Sequence, residues 1–293
     1  MSKKNILYLM RHLAARDDIL IGNSVFVVGA SEGTIAIVGN GVHPDGEAHL
    51  QAFEYGKAEE IGKNLLVPEN IESMLICPSP LPRADETARH IFLGMAINYA
   101  RDVLGLKDFT TPEAKAMLSE RGLHKLAKYE FCEGLVETTY KDSYGNSDGG
   151  NELVAQAYCK EVNPNFSGYK WMVQKGFEGD PRSEHPLNLT DRALKELVPK
   201  IIKYDLILGV SHQPNIEIIT AALTGGLGND VNELWEIAGG SYAMGGGFRL
   251  STTYNPESGL FESANLVRTP ENKGTNFEKE ITVDIKTLNK YLL

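Results

Sequence analysis

The chain has 293 residues, 42% of them hydrophobic and 23% charged, with a formal net charge of −10; that length supports one large domain or two small ones around a substantial core. The acidic balance excludes general nucleic-acid affinity, which needs a basic surface to displace counterions from phosphates, while leaving room for a local arginine cluster. The three cysteines, Cys77, Cys132 and Cys159, form no Cys-x-x-Cys pair, so neither a disulfide framework nor a zinc site is expected.

The first twelve residues start with lysines, and only a short apolar run precedes Arg11. A secretory signal needs about 7–15 apolar residues and a membrane span about 18. A cytoplasmic protein with no membrane partner is therefore expected. Residues 5–10 read as a buried strand that runs straight into Arg11 and His12. The runs Ser24–Ala30 and Thr34–Asn40 flank Ser31-Glu32-Gly33 and predict a β-hairpin over about 24–39. Asp45 is a candidate cap for a helix that begins near Gly46 and carries Ala48, Ala52, Phe53 and Ile61 at helical spacing through residue 65. Residues 73–79 read as a second buried strand broken by two prolines, and 84–97 return to helix.

From about 98 to 188 the pattern loosens into polar loops and short helical pieces, which predicts a cap-like insertion packed over the core. Thr190 can cap a helix through 203. Residues 204–212 form a third buried strand that ends in His212. Pro214 opens a helix closed by Gly225-Gly226. Strand-like runs follow at 242–253 and 281–285.

This alternation predicts an α/β fold, a three-layer α/β/α sandwich with a largely parallel or mixed central sheet, plus an inserted helical and loop cap region. Ligands of open α/β sheets bind at the carboxyl ends of strands, and three strands here end in unusual polar groups. The first delivers Arg11 and His12. The second leads to Arg83, between a proline-rich turn and a helix start, where free amides also attract anions. The third delivers His212. Arginine forks match phosphate oxygens, and an imidazole can attack phosphorus, so these four residues are the candidate phosphate site.

Leu9-Met10-Arg11-His12, the segment Ser79–Ala88 (SPLPRADETA) and Gly209-Val210-Ser211-His212 resemble, in order and in strand context, the histidine phosphatase superfamily, in its phosphoglycerate mutase-like branch. The resemblance covers the ends of the core and not 98–188. It implies one phosphoglycerate mutase-like domain over 1–293. His12 would be the phosphorylated nucleophile, with Arg11, Arg83 and His212 as the phosphate pocket. The general acid of the family is a glutamate in a Leu-x-Glu segment. Leu118-Ser119-Glu120 offers Glu120, and Glu133 is the reserve.

Two departures stand out. Leu13 replaces the glycine that commonly follows the first histidine, which narrows the space beside the phosphate. Gln213 after the late histidine argues against the acid phosphatase and phytase branch, which has aspartate there. The other histidines, His43, His49, His90, His124 and His185, show no metal-ligand spacing and read as surface or packing residues, with His124 and His185 as reserve pocket members. The expected activity is a metal-independent, cofactor-free phosphomonoesterase on a small-molecule phosphate ester, acting through phosphohistidine. A mutase returning the phosphoryl group to the same substrate and a non-catalytic phospho-ligand binder are the alternatives. Oligomeric state is left open.

Overall fold

A computed structural model describes residues 2–13, 18–21, 24–27, 36–39, 54–147, 150, 153–154, 168–268 and 280–292. The elements run β1 (Lys3–Arg11), β2 (Asp18–Ile21), β3 (Ser24–Val27), β4 (Ala36–Gly39), α1 (Glu54–Lys63), β5 (Met74–Pro78), α2 (Pro82–Asp102), α3 (Pro112–Arg121), β6 (Ala127–Tyr129), α4 (Gly168–Phe177), α5 (Pro186–Lys203), β7 (Leu206–Ser211), α6 (Asn215–Thr224), α7 (Val231–Ile237), β8 (Gly247–Asn255), β9 (Leu260–Arg268), β10 (Ile281–Thr282) and α8 (Ile285–Asn289).

Seven strands form the central sheet in the order β10-β9-β8-β1-β7-β5-β6. The pairs β1–β7, β7–β5 and β5–β6 are parallel, whereas β1–β8, β8–β9 and β9–β10 are antiparallel. The sheet is mixed, and its parallel half carries the three strands that end in site residues.

Successive side chains of a strand point to opposite faces, and the central strands obey this on both sides. Leu7 and Leu9 of β1, Leu75 and Cys77 of β5 and Ile207 of β7 enter one hydrophobic cluster with α5, α6 and α7. Tyr8 and Met10, Met74 and Ile76, and Leu206, Leu208 and Val210 enter the other, with α1 and α2. A strand buried on both faces reads as a continuous apolar run, which is why residues 5–10, 73–77 and 205–211 stand out in the sequence. Full burial of each such leucine or isoleucine contributes about 1.5–3 kcal/mol. Helices α1 and α2 pack closely because Gly62 and Gly94 face each other's partner backbone: a Cβ on Gly62 would strike the Ile91 carbonyl, and one on Gly94 the Glu59 carbonyl.

Several expectations shift. The hairpin over 24–39 is present as β3 paired antiparallel with β4, but β2 pairs with β3 as well, giving a three-stranded sheet. The Asp45 cap and the proposed helix start at Gly46 lie outside the described residues, which enter this helix at Glu54. Within 98–188, β6 pairs in parallel with β5 and forms the edge of the central sheet, so part of this stretch belongs to the core layer. Helix α5 starts at Pro186 rather than at Thr190. His185 is its cap, with Nδ1 accepting from the Leu187 amide at 3.1 Å, and the Thr190 hydroxyl donates instead to the Pro186 carbonyl at 3.0 Å. The run 242–253 becomes β8, displaced toward the C-terminus, and β9 returns beside it. Cys77 and Cys132 are buried free thiols; Cys159 lies outside the described residues. Among the described residues no helix is long and apolar enough to cross a membrane.

Candidate active site

The parallel strands place their carboxyl ends side by side. Arg11 pairs with Ser211 across β1 and β7, and the His12 amide donates to the Ser211 carbonyl at 2.9 Å. The Ser79 amide donates to the Val210 carbonyl at 2.8 Å, so the segment after β5 ends beside β7 as well. Arg11, His12, Ser79 and His212 are thereby gathered at one sheet edge by backbone pairing alone. The ring centroids of His12 and His212 are 5.0 Å apart.

His12 is nearly fully buried, and its Nδ1 lies 2.5 Å from the Leu13 carbonyl oxygen. A carbonyl only accepts, so Nδ1 carries the proton and Nε2 keeps its lone pair. Burial, reinforced by the charges of Arg83 and Arg11, pushes the His12 pKa down to about 3. The imidazole is therefore neutral at physiological pH, with its unprotonated nitrogen on the side away from Leu13. His212, fully buried, is bonded through Nε2 to the Ser79 hydroxyl at 2.9 Å. Burial first, then the neighbouring His12 ring and the charges of Arg83, Arg11 and Arg192, hold it well below the ordinary histidine range.

Arg11 is fixed from behind. Its Nη1 donates to the Tyr242 carbonyl at 2.7 Å, and the amide of that same residue donates to the buried Glu217 carboxylate at 2.9 Å. Arg268 stacks on the Tyr242 ring at 3.9 Å and donates to the carbonyls of Gly239 and Gly240. The Tyr242 hydroxyl and Thr220 share a hydrogen bond of 3.0 Å. The loop that seats Arg11 is thus clamped by two charged side chains and a hydroxyl. Burial raises the Glu217 pKa against the opposing pull of Arg11 and Arg268.

Leu13, in the turn after β1, packs into the core. Its side chain is fully buried in the cluster under α1 and α2, close against Gly245 and Ile61. Gly245 has a φ of +79°, and a Cβ there would lie 2.7 Å from Leu13 Cδ2; a larger residue would be strained twice over. The Leu13 amide donates to Thr87 on α2 at 3.2 Å, which pins the turn after β1 to the helix that carries Arg83.

Arg83, in the first turn of α2, forms an ion pair with Glu137. This glutamate, and not Glu120, is the carboxylate brought to the cluster. Glu120 is exposed on α3, and among the described residues it makes no hydrogen bond or ion pair with Arg11, His12, Arg83 or His212. A ten-residue helix leading into the edge strand keeps it on the solvated flank of the sheet. Glu133, the reserve, is also exposed. The missed signal was present: Leu135-Val136-Glu137 repeats the Leu-x-Glu pattern read at Leu118-Ser119-Glu120.

The segment that carries Glu137 is held rigidly. Asn215 Nδ2 donates to the Val136 carbonyl at 2.8 Å and its Oδ1 accepts from the Thr138 amide at 3.4 Å, one bond on each side of Glu137. Ser211 Oγ donates to the Leu135 carbonyl at 2.9 Å. Arg192, itself paired with Glu184, donates to the Gly134 and Val136 carbonyls at 2.6 and 2.7 Å. Burial raises the Glu137 pKa, while Arg83 and then Arg11 oppose the rise.

Three buried nitrogens in this cluster, Arg11 Nε, Arg83 Nε and His212 Nδ1, have no hydrogen-bond partner. Buried polar atoms are normally paired, and two guanidinium N–H groups with an imidazole nitrogen form a donor set suited to an oxyanion. The same residues are poor metal ligands, since guanidinium cannot coordinate and the carboxylate is tied to Arg83. Among the described residues no group of three or more His, Cys, Asp or Glu side chains is placed to hold a metal ion. Of the reserve histidines, His124 is exposed, His185 caps α5, and His90 pairs with Glu59 at 3.2 Å while stacking on Tyr55; His43 and His49 lie outside the described residues.

No protein-family model matches the chain, and no curated protein matches it by sequence. Solved structures are similar to it over nearly their whole length. One described as mycobacterial hydrolase 2 is 17% identical with a TM-score of 0.48, covering 99% of this chain and 97% of that one. The native structure of a mycobacterial glucosyl-3-phosphoglycerate phosphatase is 16% identical with a TM-score of 0.46, covering 86% and 92%. A phosphoglycerate mutase from Bacillus anthracis str. Sterne is 15% identical with a TM-score of 0.45, covering 99% and 96%. At this distance the functional reading rests on the geometry of the site.

Proposed function

We propose that the protein is a phosphomonoesterase that works through a phosphohistidine on His12, without a metal, on a small phosphate ester, and that it does so in the cytoplasm. The observation that carries this reading is the state of His12. It is neutral, its Nδ1 proton is committed to the Leu13 carbonyl, and its Nε2 is left as a lone pair within the electrostatic reach of Arg83 and Arg11. A buried neutral imidazole held in one tautomer is a nucleophile in waiting.

In the proposed reaction Arg11, Arg83 and His212 bind the non-bridging oxygens. His12 Nε2 attacks phosphorus in line, forming an N–P bond as the ester P–O bond breaks. Stabilising the charge on the transferring oxygens is the larger catalytic contribution. Glu137 supplies the proton that the leaving alkoxide needs. In the free site its partner is Arg83. An arriving phosphate competes for that guanidinium and adds negative charge nearby, and both changes raise the proton affinity of a buried carboxyl. Substrate binding therefore arms the acid. In the second half, Glu137 takes a proton from water as that water attacks the phosphohistidine, releasing inorganic phosphate and restoring neutral His12.

Turnover of a phosphate ester in excess EDTA, with inorganic phosphate as product, tests this reading. Retained activity supports it; activity lost in EDTA and restored by a divalent ion overturns it. An isomerised ester with no phosphate released would assign the site to a mutase instead.

A further inference from the structure

A cleft of about 630 Å³ opens beside Glu137, between the segment 133–141 and residues 176–192, which span the end of α4, the loop after it and the start of α5. Its walls contain seven formally charged side chains other than histidine, but most are spent on one another. Arg182 holds Asp180 through two nitrogens, at 2.9 and 2.7 Å, and Arg192 holds Glu184 at 2.8 Å. Glu137 is paired with Arg83. Among the described residues, Lys141 is the lining cation without a carboxylate partner, and it is exposed. The other unpaired charge of the lining is the exposed carboxylate Glu133, opposite in sign to Lys141, and the groups that remain are neutral and polar. Thr138 is 7% exposed and its Oγ1 is buried without a partner. Thr139, Asn188 and His185 line the same cleft, and among the described residues the Thr139 hydroxyl, the Asn188 amide and His185 Nε2 have no hydrogen-bond partner.

We propose that this cleft receives the leaving group of the phosphate ester, and that this group is uncharged and rich in hydroxyls, as in a sugar or polyol monophosphate. The assignment rests on the phosphomonoesterase reading, because Glu137 is the residue shared by the cleft and the phosphate cluster, and an ester oxygen protonated by Glu137 leaves toward the cleft. Hydroxyls both donate and accept, and so do the threonine and amide groups offered here. A second phosphate or a carboxylate on the substrate would meet arginines already neutralised by Asp180 and Glu184 and a single exposed lysine, Lys141, set against the exposed carboxylate of Glu133, and would leave its own charge poorly compensated.

Amide chemical-shift mapping on the full-length, deuterated protein separates the two layers of the proposal. Inorganic phosphate is expected to move the amides of Arg11, His12 and Gln213. Glucose 6-phosphate is expected to move these and, in addition, Thr138, Thr139 and Asn188, and to bind roughly tenfold more tightly, the effect of about one net hydrogen bond. Should glucose 6-phosphate leave the cleft amides where inorganic phosphate leaves them, the cleft assignment falls while the phosphatase reading stands. Should neither ligand move Arg11 and His12, the phosphatase reading falls and takes the cleft assignment with it. Should 3-phosphoglycerate or fructose 1,6-bisphosphate perturb Thr138, Thr139 and Asn188 more strongly than glucose 6-phosphate, the leaving group is anionic and the hydroxyl-rich assignment is overturned. Thr138→Val, which removes the unpartnered hydroxyl with little change of shape, is expected to erase much of the advantage of glucose 6-phosphate over inorganic phosphate; an undiminished advantage counts against Thr138 as a contact and against the cleft.

Discussion

At the scale of single residues, two glutamates divide the chemistry. Glu137 is half-buried beside Arg83, and Glu120 stands on a solvated helix. Replacing Glu137 by glutamine removes a transferable proton while keeping the shape. Hydrolysis of an alkyl phosphate should then fall by roughly 100- to 10,000-fold, the usual cost of losing a general acid. Formation of the phosphoenzyme from p-nitrophenyl phosphate, whose leaving group is already a stable anion, should fall much less. Glu120→Gln should leave both rates near wild type, and steady-state hydrolysis of the alkyl ester together with rapid-quench measurement of phosphoenzyme formation from p-nitrophenyl phosphate decides between the residues.

The titration of the site follows from the same surroundings. With His12 held near pH 3 and Glu137 raised by burial, the acid limb of kcat/KM should lie well below 6.5 and the alkaline limb above the ordinary carboxylate range. A limb centred at 6.5 would mean that His12 titrates as an exposed imidazole.

Elements decide where those residues can act. The pairing of β1, β5 and β7 brings three strand ends together, and each of those strands is legible in the sequence because burial on both faces writes an unbroken apolar run. Arg11, His12 and His212 are legible for the same reason, since they follow the runs immediately, and Arg83 is legible because it opens the helix after the proline-rich turn that ends β5. Glu137 is not. It sits in an irregular segment whose position is dictated by side chains from elsewhere, with Asn215 on α6 and Arg192 on α5 bonding to its backbone. No periodicity marks such a segment, and two Leu-x-Glu patterns competed for one role. The same limit hid Glu217 and Arg268, which meet at Tyr242 only in the folded chain.

Asn215→Ala tests this tethering. It leaves the buried Thr138 amide without its acceptor, and such a loss costs about 1–3 kcal/mol. The expected signature is a fall in kcat on alkyl phosphates larger than the rise in KM, because the acid loses its fixed position while the phosphate pocket persists. Leu13→Ala tests a different contact. Its side chain is wholly buried against Gly245 and Ile61, so truncation should lower stability by about 2–5 kcal/mol, the range for buried leucines. Urea denaturation measures both.

For the whole molecule, the buried histidines tie stability to pH. His12 and His212 resist protonation in the folded state but accept protons freely when unfolded. For His12, between about pH 6.5 and pH 3 the unfolded chain binds the extra proton, so stability falls as pH falls, by about 1.4 kcal/mol per pH unit; His212 acts in the same direction. Glu137 and Glu217 have raised pKa values and act in the opposite sense. Their contribution is present below the ordinary glutamate pKa and is lost as pH rises through the folded value. Denaturation midpoints from pH 4.5 to 6.5 should therefore slope less steeply in His12→Asn than in wild type. Parallel slopes would show that His12 takes up its proton in the folded protein.

The central claim is that phosphoryl transfer passes through His12, and rapid-quench trapping of the phosphoenzyme tests it most directly. Wild type mixed with radiolabelled p-nitrophenyl phosphate and stopped in alkali should carry a phosphate that is stable to base, labile to acid and mapped by peptide sequencing to His12; His12→Ala should carry none. A labelled phosphoenzyme that persists in His12→Ala, or a label that maps to any other residue of the wild-type chain, would contradict it.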